Sequence, residues 1–246
     1  MVIKKPTDTV AGEKKYTCKE CSKTKTEVVP ATGTQDGNNG GNAGNNTSDK
    51  VPVVDAKLTD AKTNAVYKVT KTGQTGGEVA FNAPKNKKIT KVTIPATVTI
   101  NGITYSVTGI TQNAFKGCKK LTSVTMGANV VTIGANAFAG DTKLKTLTIG
   151  KNVTNIGDKA FYKCSALKKI TIPSKVKKIG KSAFEGCKRL KTVTIKTQKL
   201  KSGTVGSKAF KGTPKNVTIK VPKKRLSAYK KFLYKKGVNK KAKIKK

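Results

Sequence analysis

Any chemistry in this chain must be done without histidine, because none of the 246 residues is one. That removes the usual general base near neutral pH and the commonest metal ligand together. The five cysteines fall as one Cys-x-x-Cys pair, Cys18 and Cys21, and three scattered residues, Cys118, Cys164 and Cys187. A zinc site wants four ligands where Cys18 and Cys21 supply two, and a redox pair wants a βαβ setting that the surrounding residues do not provide. Two readings stay open for them: a structural pair, bridged or free, and half of a site completed elsewhere. Of the 12 acidic residues nine precede residue 80, leaving Asp141, Asp158 and Glu185 beyond. These three are too few and too irregularly placed to give the facing carboxylates of glycoside hydrolysis. No catalysis, metal or cofactor is expected.

What positions the later cysteines is a repeat. Ile110, Ile133, Ile156 and Ile179 are spaced by twenty-three residues, as are the pairs beginning Ala114-Phe115, Ala137-Phe138, Ala160-Phe161 and Ala183-Phe184. Leu121, Leu144, Leu167 and Leu190 keep the same step, each followed by an alternating run such as Ile170 and Ile172. A fifth, degenerate copy carries Val205, Ala209-Phe210, Val217 and Ile219 after three inserted residues. Apolar residues at fixed places of such a period mean that no coil buries its own face, so successive coils must stack on one continuous core. One short strand per coil in a parallel sheet is predicted, about 4.8 Å from the next, with the Ala-Phe segment a turn that points its ring inward. Cys118, Cys164 and Cys187 share one place in the repeat. Because Asp141 and Thr213 stand at the same place, the cysteines read as small buried hydrophobes rather than a disulfide or metal ladder.

Five segments follow: 1–33, a fragment of a small Cys-x-x-Cys module; 34–50, a Gly- and Asn-rich flexible linker; 51–109, a β-rich N-terminal cap; 110–220, about five coils; and 221–246, a Lys-rich C-terminal cap and tail. In the cap, TVTI-Asn101-Gly102-ITYSV is a hairpin signal, since both turn positions need positive φ. In the tail, Pro222, then Leu226, Tyr229 and Leu233 on one face, then Gly237, predict a short helix lying over the last coil. No apolar run is long enough to span a membrane. MVIKKPTDTV lacks the apolar segment of a signal peptide, so export is expected to need residues upstream of Met1.

Charge is concentrated in the second part. Twelve basic against nine acidic residues lie in 1–80, and 40 against three follow, net charges of +3 and +37. Only Arg189 and Arg225 are arginines, which argues against bidentate grip on phosphates or bases and hence against specific nucleic-acid binding. Strand alternation puts Thr125, Thr148, Thr171, Thr194 and Thr218 in one exposed column, beside Ser123, Thr146, Lys169, Thr192 and Asn216. Lys145, Lys168 and Lys191 form a ladder of like charge on successive coils. Thr125, Thr148, Thr171 and Thr194 with those three lysines are the candidate partner-binding residues, although threonine also suits any exposed strand and lysine any solvated face.

The Ala-Phe-x-x-Cys and Leu-x-x-Val-x-Ile elements, the hairpin before the first full coil and the tail VPKKRLSAYKKFLYKKGVNKKAKIKK resemble the leucine-rich repeats of the BspA-like type, over residues 89–246. YTCKECSKTKTEVVPATG resembles the end of a short module repeated in bacterial surface proteins. The resemblance implies a leucine-rich-repeat parallel β-solenoid, β-rich with little helix, displayed extracellularly or on the cell surface. It implies a non-catalytic interaction or adhesion module whose partner is a host or bacterial protein or an anionic glycan or wall polymer. The alternative is retention on anionic cell-wall polymers by charge alone.

Overall fold

The computed structural model describes residues 2–4, 12–17, 24–29, 52–73 and 76–246, in two units, Met1–Ser48 and Asp49–Lys246. In the first, β1 (Val2–Lys4), β2 (Gly12–Thr17) and β3 (Thr24–Val29) form an antiparallel sheet in that order. Cys18, Cys21 and the stretch 34–50 lie outside the described residues.

The second unit begins with an antiparallel meander, β4 (Lys57–Asp60), β5 (Ala65–Lys71) and β6 (Gly77–Pro84). After β7 (Lys91–Ile94) comes the Asn-Gly hairpin of β8 (Thr97–Ile100) and β9 (Ile103–Ile110). Asn101 and Gly102 adopt φ of 51° and 79°, the paired left-handed turn that lets the strands keep their twist. β6 then pairs with β9 in parallel, the first stacking contact of the solenoid.

From there the chain coils. Along one side run β10 (Ser123–Met126) and β12 (Thr146–Thr148), with β7 as the outer neighbour of β10. β14 (Lys169–Ile172), β16 (Thr192–Ile195) and β17 (Thr218–Lys220) continue that side. All these pairings are parallel, with Val124 opposite both Val92 and Leu147 and Ile170 opposite Val193. One strand per coil was expected, and the structure has two. The isoleucine preceding each Ala-Phe turn lies in a second parallel ladder, formed by β11 (Thr132–Ile133), β13 (Asn155–Ile156) and β15 (Lys178–Ile179), which extends β9. Two residues suffice there because an isoleucine opposite an isoleucine buries one side chain per coil while the alternate residue faces water.

The Ala-Phe segments are turns whose rings are fully buried. Phe115, Phe138, Phe161, Phe184 and Phe210 stack face to face at 4.8, 5.3, 5.3 and 5.4 Å between centroids. Each turn is also tied to the next by backbone: the amide of Phe138 donates to the carbonyl of Ala160 and that of Phe161 to Ala183, both at 2.8 Å. The residue before each alanine, Asn113, Asn136, Lys159, Ser182 or Lys208, has positive φ. Just before it the coils touch backbone to backbone: a Cβ at Gly157 would lie 2.7 Å from the amide nitrogen of Ala135.

At the C-terminal end a 3-10 turn at Lys223–Arg225 leads into α1 (Leu226–Leu233), with Tyr229, Phe232 and Leu233 buried and Leu226 half-buried. The Tyr229 hydroxyl donates to the carbonyl of Thr197 at 2.7 Å, and Gly237 turns the chain at φ 94°. The tail beyond returns as β18 (Lys243–Lys245) and pairs in parallel with β17, a strand the Lys-rich composition concealed. No helix among the described residues is long and apolar enough to cross a membrane.

Two predictions follow from the stacking. Phe161, enclosed by rings on both sides, costs about 3–5 kcal/mol on truncation to alanine through lost transfer energy and a cavity. Phe210, stacked on one ring only, costs less in the same denaturant melts; equal losses count against the ring stack as the core. Gly157→Ala costs about 1–3 kcal/mol because the new methyl meets backbone, whereas Gly203→Ala, with open space around it, leaves the melt within about 1 kcal/mol of the parent.

Candidate binding surface

The predicted binding residues lie on the outer side of the first ladder. Thr125, Thr148 and Thr171 are exposed and Thr194 is half-exposed, while the residues alternating with them are buried. Thr125 lies beside Thr93 and Thr148, and Thr171 beside Thr194. The column is not continuous: strand pairing stops between β12 and β14, so the side is built from a three-stranded and a four-stranded sheet. A crevice of about 300 Å³ opens there, lined by Lys145, Thr146, Lys168, Lys169 and Thr171.

Register corrects the end of the column. Thr218 was expected to follow Thr194, with Asn216 beside Thr192, but Thr218 lies beside Thr192 and Lys220 beside Thr194. The three inserted residues precede Val205, and the spacing from phenylalanine to strand is unchanged: Phe184 to Val193 and Phe210 to Ile219 both span nine residues. Ile219 is therefore the partner of Val193, and Asn216 falls where earlier coils bury Leu121, Leu144, Leu167 and Leu190. Asn216 is exposed and Val217 is buried in its stead.

Lys145, Lys168 and Lys191 are all exposed. The Lys191 amide donates to the Lys168 carbonyl at 2.8 Å, and that of Thr218 to Lys191 at 2.9 Å. Beside the last two lie Lys188 and Arg189, and together the four line a crevice of about 740 Å³ whose far wall is Pro214 and Asn216. Sequence reading missed this feature. Its signal was the absent leucine at Asn216, hidden by the two-residue error in register.

The cysteine column is interior. Cys118, Cys164 and Cys187 are free and fully buried, and the Cys164 thiol lies 3.1 Å from the Phe138 carbonyl, to which it donates. Burial pushes the Cys118 thiol up to about 11 and that of Cys187 to about 12, which leaves both as neutral thiols rather than nucleophiles. Asp141 is the exception in that column. It is fully buried, and no donor reaches hydrogen-bonding geometry at either carboxylate oxygen. Burial pushes its pKa up to about 8, the nearby backbone of Cys118 and Gly117 opposing only in part. Asp158 and Glu185 both line a shallow depression with Tyr162 and Lys181, and Asp158 accepts a hydrogen bond from the Lys181 amide at 2.8 Å.

Parallel strands stacked coil upon coil around leucine, isoleucine and phenylalanine columns define a leucine-rich-repeat protein. Residues 108–239 match the BspA type leucine rich repeat region in six copies, and the chain belongs to that family. Among solved structures it is similar to a T. pallidum leucine-rich-repeat protein, at 29% identity over 68% of this chain and 72% of that one, with a TM-score of 0.55. It shares its fold with the pneumococcal vaccine antigen PcpA, at 20% identity over 70% of this chain and 51% of that one, with a TM-score of 0.53. No curated protein matches the chain.

The buried carboxyl gives a pH prediction. Above about pH 4 the unfolded chain has released the Asp141 proton while the folded chain keeps it. The contribution of Asp141 to stability is therefore greatest below that pH, falls by about 1.4 kcal/mol per pH unit as pH rises, and levels off above about 8. Asp141→Cys, the residue of the neighbouring coils, matches the parent near pH 4 and melts well above it at pH 8. Parallel pH profiles for the two proteins contradict this assignment.

Proposed function

We propose that the chain is a non-catalytic interaction or adhesion module of a bacterial surface or secreted protein, which binds a macromolecular partner through the outer β-face and the basic surface beside it. In this reading each coil is one twenty-three-residue repeat, 51–109 caps the solenoid at its N-terminal end, and the module works outside the cell. The observation that carries it is the division of labour along each strand: the inward residues are spent on the core, while the outward Thr125, Thr148 and Thr171 are exposed and Thr194 is half-exposed. Membership of the BspA-type family, and the fold shared with a vaccine antigen, support a surface role. The net charge of +37 beyond residue 80 favours charge-driven retention on anionic wall polymers as a second reading. Retention of that kind collapses between low and moderate ionic strength, whereas a shaped contact persists in part.

The test is a binding screen of the chain against host matrix proteins, mucin and purified wall polymers, followed by variants. Replacing Thr148, Thr171 and Thr194 together with Glu leaves the fold intact, at under about 0.5 kcal/mol for each exposed position, and abolishes capture of a protein partner. Replacing Lys145, Lys168 and Lys191 with Gln weakens only the salt-sensitive part. A folded Glu variant that binds its partner normally removes the β-face from consideration.

A further inference from the structure

We infer that the crevice lined by Lys168, Lys188, Arg189 and Lys191 is a binding site for a sulfated polysaccharide chain. The inference rests on the adhesion reading and gives that module a ligand chemistry. Its volume of about 740 Å³ lies in the range of ligand clefts, about 300–1,000 Å³. No carboxylate lines it. The smaller crevice at the break between β12 and β14 shares Lys168 and adds Lys145 and Lys169, so cations run on along the solenoid as they must to follow a linear polyanion. Among the described residues the ion pairs are Lys68–Asp55 and Lys71–Glu78, which leaves the charge of this track uncompensated. Like charges held on a rigid ladder repel unless an anion screens them, and the Lys168, Lys191 and Thr218 backbones are hydrogen-bonded into such a ladder.

The neutral part of the lining points to a sugar. Thr192, Thr218 and Asn216 offer hydroxyl and amide groups between the cations, and Pro214 offers an apolar face, the mixture that sugar hydroxyls and ring carbons require. A flexible polyol phosphate has no ring to lay on Pro214. Single-stranded nucleic acid calls for aromatic stacking platforms, and neither crevice has an aromatic residue in its lining. Duplex contacts favour arginine forks, and Arg189 is the one arginine here.

The experiment titrates the full chain with heparin, as the sulfated probe, at about 0.15 M salt. Lys188→Gln, Arg189→Gln and Lys191→Gln together are compared with Lys177→Gln, Lys178→Gln and Lys199→Gln, which remove the same charge at exposed positions outside the crevice. The expected result is a loss of affinity of about tenfold or more for the first triple and under about threefold for the second. Asn216→Leu, which fills the wall without changing charge, also weakens heparin. Equal losses in the two triples, desulfated heparin binding as well as heparin, or duplex DNA competing equally per charge each overturn the proposal. A chain that ignores heparin but still captures a protein through the threonine face overturns this inference and leaves the adhesion reading standing; a chain that binds neither ends both.

Discussion

The phenylalanine stack is the interaction on which the rest of the solenoid depends. Phe81 of β6 begins it at 4.7 Å from Phe115, and Phe210 ends it. The ring separations, 4.7–5.4 Å, begin at the spacing of neighbouring strands, about 4.7–4.9 Å, and run slightly above it, because both follow the same coil-to-coil rise. Phenylalanine suits the place since its flat face can meet an identical face without leaving a void, as branched aliphatic chains at such a turn cannot. The alanine before it keeps the turn tight enough for the phenylalanine amide of the preceding coil to reach its carbonyl. Backbone polar groups that a buried turn would orphan are thereby satisfied between coils.

A stack of this kind has two open ends, and each ring face left bare costs the contacts of its missing neighbour. Tyr67 meets Phe81 edge-on at 5.4 Å and 75°, ending the column with a ring that needs no further partner. At the far end the Phe210 amide donates to the Lys236 carbonyl at 3.0 Å, so the segment after α1 supplies the hydrogen bond that a further coil would give. The same reasoning explains the extra strand: β18 covers the edge of β17, which would otherwise present unpaired backbone.

How much of this was legible follows from what repeats. The columns at Ile133, Phe138, Cys164 and Leu167 each recur at a fixed step, so their inward placement could be read from spacing alone, and the hairpin at Asn101-Gly102 and the helix with its stop at Gly237 were legible from local chemistry. Phe81 was not, because β6 belongs to a meander whose spacing is its own, and only three dimensions show its ring joining the stack. The second ladder escaped because Thr132–Ile133 and its equivalents are too short to alternate visibly. The break between β12 and β14 has no signature in the repeat either, though Leu147 and Ile149, at 8% exposure each, are looser than their equivalents Val124, Met126, Ile170, Ile172, Val193 and Ile195, at 0–5%.

Repetition also decides where recognition can reside. A residue that recurs in every coil is needed by every coil for stacking, and its side chain is largely consumed by the core. Information about a ligand must therefore lie either in the outward residues, which the core does not constrain, or in places where a coil breaks the pattern. Asp141 breaks it inward, where a carboxyl without donors can only destabilise the stack as it ionises. Asn216 breaks it outward: a polar residue in a leucine's place withdraws from the core, Val217 fills the space, and the surface beside Lys188 and Arg189 is left concave. The first departure taxes the fold and gains nothing at the surface, whereas the second leaves the core closed and changes only what the molecule shows to its surroundings.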